Sequence, residues 1–280
     1  MFRLVNANGR AALEHDGACY DLAALAGDES LHEPLTAVAR HRELHALHER
    51  CAGATPGGQV ADTVLGAPVP QPRQSFGIGL NYRDHAEESG QEIPAAPMWF
   101  AKFANSLIGS GQEIVLAPAH AEYVDYEAEL AVVIGRRANR IDAADALSHV
   151  AGAMPFNDVS ARDLQLQNPL WTSGKALDTF APCGPALVTL EEIDDLGALG
   201  LRTRINGETV QEGNTANLIF GVADTVAWLS RTITLEPGDI IATGTPAGVG
   251  AAQGRFLRDG DLVEVEVDGL GAVANPVSAR

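Results

Sequence analysis

The sequence predicts an α+β protein that is mostly β, with a small N-terminal α/β domain at residues 1–68 and a larger β-rich domain at residues 69–280. Three observations carry this. Short apolar runs punctuated by glycine recur from about residue 72 onward, and only two helical stretches interrupt them. A turn- and proline-rich stretch, ATPGGQVADTVLGAPVPQP, separates them from what comes before. Many strands with few helices predict a rolled or barrel-like β structure rather than alternating strand–helix–strand units.

In the first unit, FRLVNANGRAALEHDGACYDL reads as two short strands around an NGR turn. LTAVARHRELHALHER then reads as an amphipathic helix with Leu35, Val38, Leu44 and Leu47 on its apolar stripe. His41, His45 and His48 recur along it at helical spacing. Arg40, Arg42 and Arg50 are interleaved and no carboxylate box accompanies them, which favours a solvated face over a metal site. In the second unit the strand candidates are SFGIGL, EIVLA, ELAVVIG, GPALVTL, LRTRING, GDIIATG and DLVEVEVDG. The helical stretches are AADALSHVAG, with Asp142 as a candidate N-cap, and ANLIFGVADTVAWLSRTI.

A 46 % hydrophobic content over 280 residues is ample for a core. The formal net charge of -18 argues against nucleic acid or an anionic membrane as partner, because both are bound through excess lysine and arginine. Cys19, Cys51 and Cys183 are sparse, odd in number and outside any zinc spacing, as expected of a reducing compartment. The first residues lack an apolar core of signal-peptide length and no 18-residue apolar run occurs, so a cytoplasmic protein is expected.

The chemistry begins at EYVDYEAE, residues 122–129, where four acids run into the apolar stretch LAVVIG. In an extended segment Glu127 and Glu129 project from one face, where they repel unless water or a cation lies between them. A solvated strand end and a divalent-cation site both fit this stretch, and the second requires a further oxygen ligand. Asp158 supplies one, after the buried-looking run VAGAMPF. Three carboxylates with no cysteine or imidazole select Mg²⁺, Mn²⁺ or Ca²⁺ over zinc.

In GIGLNYRDHAEESG, His85 and Glu88 are one helical turn apart. They are either a surface pair or a base whose basicity and tautomer the carboxylate sets. Lys175 sits in WTSGKALDTFAPCGP among apolar and small residues. It is one of only two lysines, with Lys102, against seventeen arginines, so an anionic partner is expected. Arg162 and Gln165 follow Asp158 closely enough to reach the same pocket. GDIIATGTPAGVG ends in a loop whose amides and hydroxyls could bind a carboxylate.

GIGLNYRDHAEESG, DYEAELAVVIG, NDVSARDLQ, TSGKALDTFAPCGP and LEPGDIIATGTPAGVG together resemble the fumarylacetoacetate hydrolase family in its bacterial two-domain form, over roughly residues 72–270. The resemblance implies that family's mixed β-sandwich roll, usually paired as a homodimer. It implies Glu127, Glu129 and Asp158 as metal ligands for Mg²⁺ or Mn²⁺, with Ca²⁺ also accommodated. It implies Lys175 as the pocket lysine, His85 and Glu88 as a catalytic pair on a closing segment, and Tyr82, Arg162, Gln165 and Thr245 as substrate contacts. The expected reaction is hydrolytic cleavage of the C–C bond of an acylpyruvate or other 2,4-diketo acid to pyruvate and a carboxylic acid. The same scaffold also hosts isomerases of 2-hydroxymuconate-type diene acids and oxaloacetate decarboxylases. A non-enzymatic metal- or acid-binding protein is the remaining reading.

Overall fold

The computed structural model describes residues 2–117 and 121–280. An extended sheet runs through the molecule. From one edge its strands are Gly58–Gln59, Ala18–Asp21, Arg10–His15, Arg3–Ala7, Leu187–Thr189, Val150–Asn157, Ala128–Ile134, Ile240–Ala242, Ser75–Gly79 and Met98–Lys102, with Leu65–Gly66 also against Arg3–Ala7. A second sheet is formed by Glu208–Asn214, Gly200–Ile205, Leu262–Val267, Gly271–Ala279 and Ile114–Leu116. The mostly β, mixed fold read from the sequence is what the chain adopts.

Residues 1–68 are continuous with the rest through backbone pairing. Arg3–Ala7 pairs antiparallel with Leu187–Thr189, so the N-terminal strands extend the large sheet. Leu4, Leu13, Leu22 and Leu44 share a core with Val133, Met154 and Phe156.

The strand Ala128–Ile134 explains why the sequence reads as unbroken apolar residues there. Alternate side chains of a strand point to opposite faces, and both faces are covered. Ala131 and Val133 enter the core shared with the N-terminal unit. Leu130, Val132 and Ile134 enter a second core with Leu201, Val265 and Val267 of the five-stranded sheet. Helix Val222–Ser230 closes this core with Val226 and Leu229.

All three helical stretches differ from the sequence reading, and ANLIFGVADTVAWLSRTI is α-helical only over Val222–Ser230. The single helix expected after residue 34 is divided into Pro34–Ala39 and His41–His48. Arg40 leaves helical geometry between them, its guanidinium held by Asp28 and Glu43 at 2.6 Å each. AADALSHVAG is α-helical over Ala143–Ala146 and continues as a 3-10 turn over Leu147–His149, and Asp142 makes no side-chain capping bond. Its VAG portion instead starts the strand Val150–Asn157, because Val150 and Gly152 pair with Ile134 and Val133. Among the described residues no helix is long and apolar enough to cross a membrane.

Candidate active site

Strand pairing brings the acids together. Ala128 lies opposite Asn157 and Glu129 opposite Phe156, so the strand end carrying Glu127 and Glu129 meets Asp158 just beyond its partner strand. The Asp158 amide donates to the Glu127 carbonyl at 3.0 Å. Side-chain oxygens of Glu127, Glu129 and Asp158 all lie within 4.8 Å of one another, and all three residues are buried.

Three cations surround them. Lys175 Nζ donates to Glu127 Oε2 at 2.7 Å and to Asp158 Oδ2 at 2.9 Å. Lys102 Nζ binds Asp158 Oδ1 and the Phe180 carbonyl. Arg162 spans Asp125 at 2.8 and 3.0 Å, reaches Glu127 Oε1 at 2.6 Å, and donates to Gln165 Oε1 at 2.9 Å. Glu129 receives a backbone bond instead, from the Gly244 amide at 2.8 Å. Gly244 is required there: its φ is +103°, and a Cβ would sit 2.8 Å from that of Asn81.

The electrostatics split the pair of glutamates. Burial raises both, but beside Glu127 the charges of Lys175 and Arg162 outweigh it and hold that carboxyl down at about 2. Glu129 is raised well above the usual range by burial, then by the nearby Asp158 and Glu127. Burial lowers Lys102, against the pull of Asp158. Burial also opposes the charge on Lys175, but Asp158 and Glu127 raise it on balance. Without a cation, burial and its acidic neighbours therefore push Glu129 toward its protonated form.

Above the cluster lies a cleft of ≈ 310 Å³. His85, Glu88, Glu127, Glu129, Arg162, Gln165, Lys175 and Thr245 all line it. His85 and Glu88 come from helix Arg83–Glu88, with His85 Nδ1 3.3 Å from Glu88 Oε2. The other Glu88 oxygen accepts from the Gly248 amide at 2.9 Å, tying this helix to the Gly/Pro loop after strand Ile240–Ala242. Thr245 Oγ1 accepts from Gln211 Nε2 at 2.7 Å, which leaves its hydroxyl proton free to donate into the cleft.

Comparison with known proteins agrees with this geometry. The model of the fumarylacetoacetate (FAA) hydrolase C-terminal domain matches residues 74–278. This chain belongs to the fumarylacetoacetate hydrolase family. The mitochondrial oxaloacetate tautomerase FAHD2A of Homo sapiens is 46 % identical over 215 residues, 75 % of this chain and 68 % of that protein. The fumarylacetoacetate hydrolase of the psychrophile Exiguobacterium antarcticum is 32 % identical, with a TM-score of 0.83 and complete coverage of both chains. The maleylpyruvate hydrolase of Sphingobium sp. SYK-6, solved with manganese(II) and pyruvate, is 27 % identical, with a TM-score of 0.83 and 99 % of each chain covered.

For a fumarylacetoacetate hydrolase family member, the donor set fits a divalent ion. It offers buried hard oxygens only, and Glu129 has no cationic partner among the described residues. Each carboxylate also keeps lone pairs beyond those its lysine or arginine bonds occupy.

One expected contact is not brought to the cleft. Tyr82 precedes helix Arg83–Glu88 with its backbone bridged to Leu218, so its ring turns into the core beside Ile78 and Leu218. It is fully buried, and its hydroxyl has no hydrogen-bond partner among the described residues. His41, His45 and His48 do not converge either. His41 bonds the Val38 carbonyl, His45 faces Glu191 and His48 faces His15.

Sequence reading missed Lys102, Asp125 and Gln211. Lysine scarcity was the signal for Lys102: both lysines of the chain are buried and share the Asp158 carboxylate. Asp125 lay inside the acidic stretch that was read, but its tie to Arg162 depends on the pairing of Val124–Asp125 with Ser160–Ala161. Nothing local in the sequence marks Gln211.

Proposed function

We propose that this protein is a divalent-metal-dependent hydrolase that cleaves the C3–C4 bond of an acylpyruvate or related 2,4-diketo acid, releasing pyruvate and a carboxylic acid. The observation that carries the reading is the His85–Glu88 pair lining the same cleft as the buried carboxylates. Glu127, Glu129 and Asp158 are the residues that would hold Mg²⁺ or Mn²⁺. When bound, such an ion supplies Lewis-acid polarisation of the 2-oxo end of the substrate.

The protein's own groups account for the rest. Glu88 accepts the Nδ1 proton of His85 and leaves Nε2 as the nitrogen that takes a proton from water. The water oxygen bonds to C4, and Lys175 or the free amide of Gln165 donates to the oxygen that becomes negative there. As the C3–C4 bond breaks, its electron pair moves to C3, and His85 returns the proton to that carbon. The products are one carboxylic acid and one pyruvate, with one water consumed. The Thr245 hydroxyl donates to the substrate carboxylate. Arg162 is fully engaged by Asp125, Glu127 and Gln165, so it positions the cluster and Gln165.

A second reading, keto–enol tautomerisation of oxaloacetate, is supported by the 46 % identity to the human tautomerase. It uses the same His85 proton transfer at C3 but consumes no water. Purified protein with Mg²⁺, assayed for pyruvate release from acetylpyruvate and fumarylpyruvate and for enol decay of oxaloacetate, separates the two. Pyruvate from either acylpyruvate supports the hydrolase. Enol decay alone supports the tautomerase. The reading also carries homodimerisation, to be checked by sedimentation velocity.

A further inference from the structure

We infer that the cleft selects 2-oxo acids whose group beyond C4 is extended and apolar, not one ending in a second carboxylate, and that Phe100 and Trp171 are the selecting residues. This rests on the hydrolase reading above and names its substrate class.

The wall is built into the strand Ser75–Gly79. Gly77 and Gly79 are two apart and therefore face the same side. A Cβ on Gly77 would lie 2.3 Å from Phe100 Cζ, and one on Gly79 would lie 2.2 Å from Trp171 Cζ3. The two rings thus rest directly on backbone, where any side chain would displace them. They stand 6.0 Å apart, tilted by 57°. Phe100 is fixed by pairing with Gly77. Trp171 is fixed at the start of the turn Thr172–Lys175, which Thr172 Oγ1 anchors on the Ala101 carbonyl at 3.1 Å. One short turn therefore sets both the cleft lysine and the aromatic wall. Lys175 Nζ is 5.2 Å from the Phe100 ring centre, so the apolar wall begins where the charged cluster ends.

Leu80 and Leu166 also line this cleft, and Leu166 is 78 % exposed. Both permanent cations of the lining, Arg162 and Lys175, are already bound to carboxylates. Against this wall a second substrate carboxylate would meet carbon; among the lining residues Ser89 and Gln91 are neutral and Glu88 carries like charge. Desolvating it there is costly. A volume of ≈ 310 Å³ also exceeds what a four-carbon acid fills, since pockets of about 300 Å³ and above hold larger ligands.

The test compares wild-type enzyme with Mg²⁺ on acetyl-, hexanoyl-, benzoyl- and succinylpyruvate. Hexanoyl- and benzoylpyruvate should exceed the carboxylate-ended succinylpyruvate in kcat/KM by roughly tenfold or more. Trp171→Ala should lower the benzoyl-to-acetyl ratio by about the same factor. Equal or reversed preference, or an unchanged ratio in a folded Trp171→Ala, overturns the inference. Calorimetry on the same Mg²⁺-loaded wild type separates this from failure of the hydrolase reading. Phenylpyruvate should bind about tenfold more tightly than 2-oxoglutarate, whether or not any acylpyruvate is cleaved. Equal affinities overturn the apolar selectivity. That preference without pyruvate release from any acylpyruvate leaves the selectivity standing and overturns the hydrolysis alone.

Discussion

The carboxylates of Glu127 and Asp158 share one ammonium, that of Lys175, at 2.7 and 2.9 Å. Four buried carboxyls, Asp125, Glu127, Glu129 and Asp158, face three cations, Lys102, Lys175 and Arg162. One carboxyl is left over, and it is Glu129, whose hydrogen-bond partner among the described residues is the Gly244 amide. A divalent ion answers that imbalance.

Lys175→Met removes the shared cation and leaves Glu127 and Asp158 repelling each other. Breaking a buried pair from one side costs about 3–5 kcal/mol. The expected result is a melting temperature that falls sharply in EDTA and recovers in large part with Mg²⁺, together with loss of activity. Equal melting with and without the ion would show that the cluster does not share its charge with a metal.

Glu129→Gln keeps an acceptor for the Gly244 amide while removing the ionisable group. Divalent-ion binding should be lost by calorimetry, whereas the metal-free protein should melt at the same temperature or higher at neutral pH. If the variant binds Mg²⁺ with wild-type affinity, Glu129 is not a ligand.

The two glutamates predict opposite pH responses of the metal-free protein. Glu127 is held at about 2, below its unfolded value of about 4.3, so its contribution is present above that value and is lost as pH falls toward 2. Glu129 is raised, so its contribution is full below about 4.3 and declines as pH rises through its folded value. Metal must displace that proton. Affinity should therefore rise with pH across the titration of Glu129, with proton release seen as a buffer-dependent binding enthalpy. Binding enthalpy independent of buffer would contradict a protonated Glu129.

These electrostatics show where sequence reading reaches its limit. The acids were legible because an E-x-E run at a strand entrance, followed by an isolated Asp158, has few apolar explanations. His85 and Glu88 were legible because helical spacing alone places them together. Tyr82 shows the limit of a motif: its position fixes a residue's place along the chain, whereas the backbone bridge to Leu218 and burial set where its ring lies. The continuity of residues 1–68 with the large sheet was hidden, since the pairing of Arg3–Ala7 with Leu187–Thr189 joins strands remote in sequence. The strand Met98–Lys102, whose Lys102 holds Asp158, gave no periodic signal strong enough to be read.

His85→Ala should lower acylpyruvate cleavage by roughly 10² or more, a general-base contribution, while sparing much of any oxaloacetate decarboxylation. Glu88→Gln should do the same more weakly, because the Nδ1 bond is perturbed and Nε2 remains. Equal loss of both reactions would assign His85 to substrate holding in place of water activation.

Helix Arg83–Glu88 is six residues long, too short to be stable without docking, and its polar ties are Glu88 to Gly248 and Asp84 to Asn217. Amides 82–95 should exchange rapidly in the free protein and slow when 2-oxo acid and Mg²⁺ are added. Strong protection before ligand addition would argue against a closing segment.

The most direct test of metal-dependent carbon–carbon cleavage is pyruvate release from acetylpyruvate by metal-stripped protein, followed as Mg²⁺ is restored. The account predicts no release in EDTA, full recovery with Mg²⁺, one acetate per pyruvate, and no recovery in Glu129→Gln. Pyruvate release that persists in EDTA, or its absence from Mg²⁺-loaded enzyme that tautomerises oxaloacetate, would contradict it.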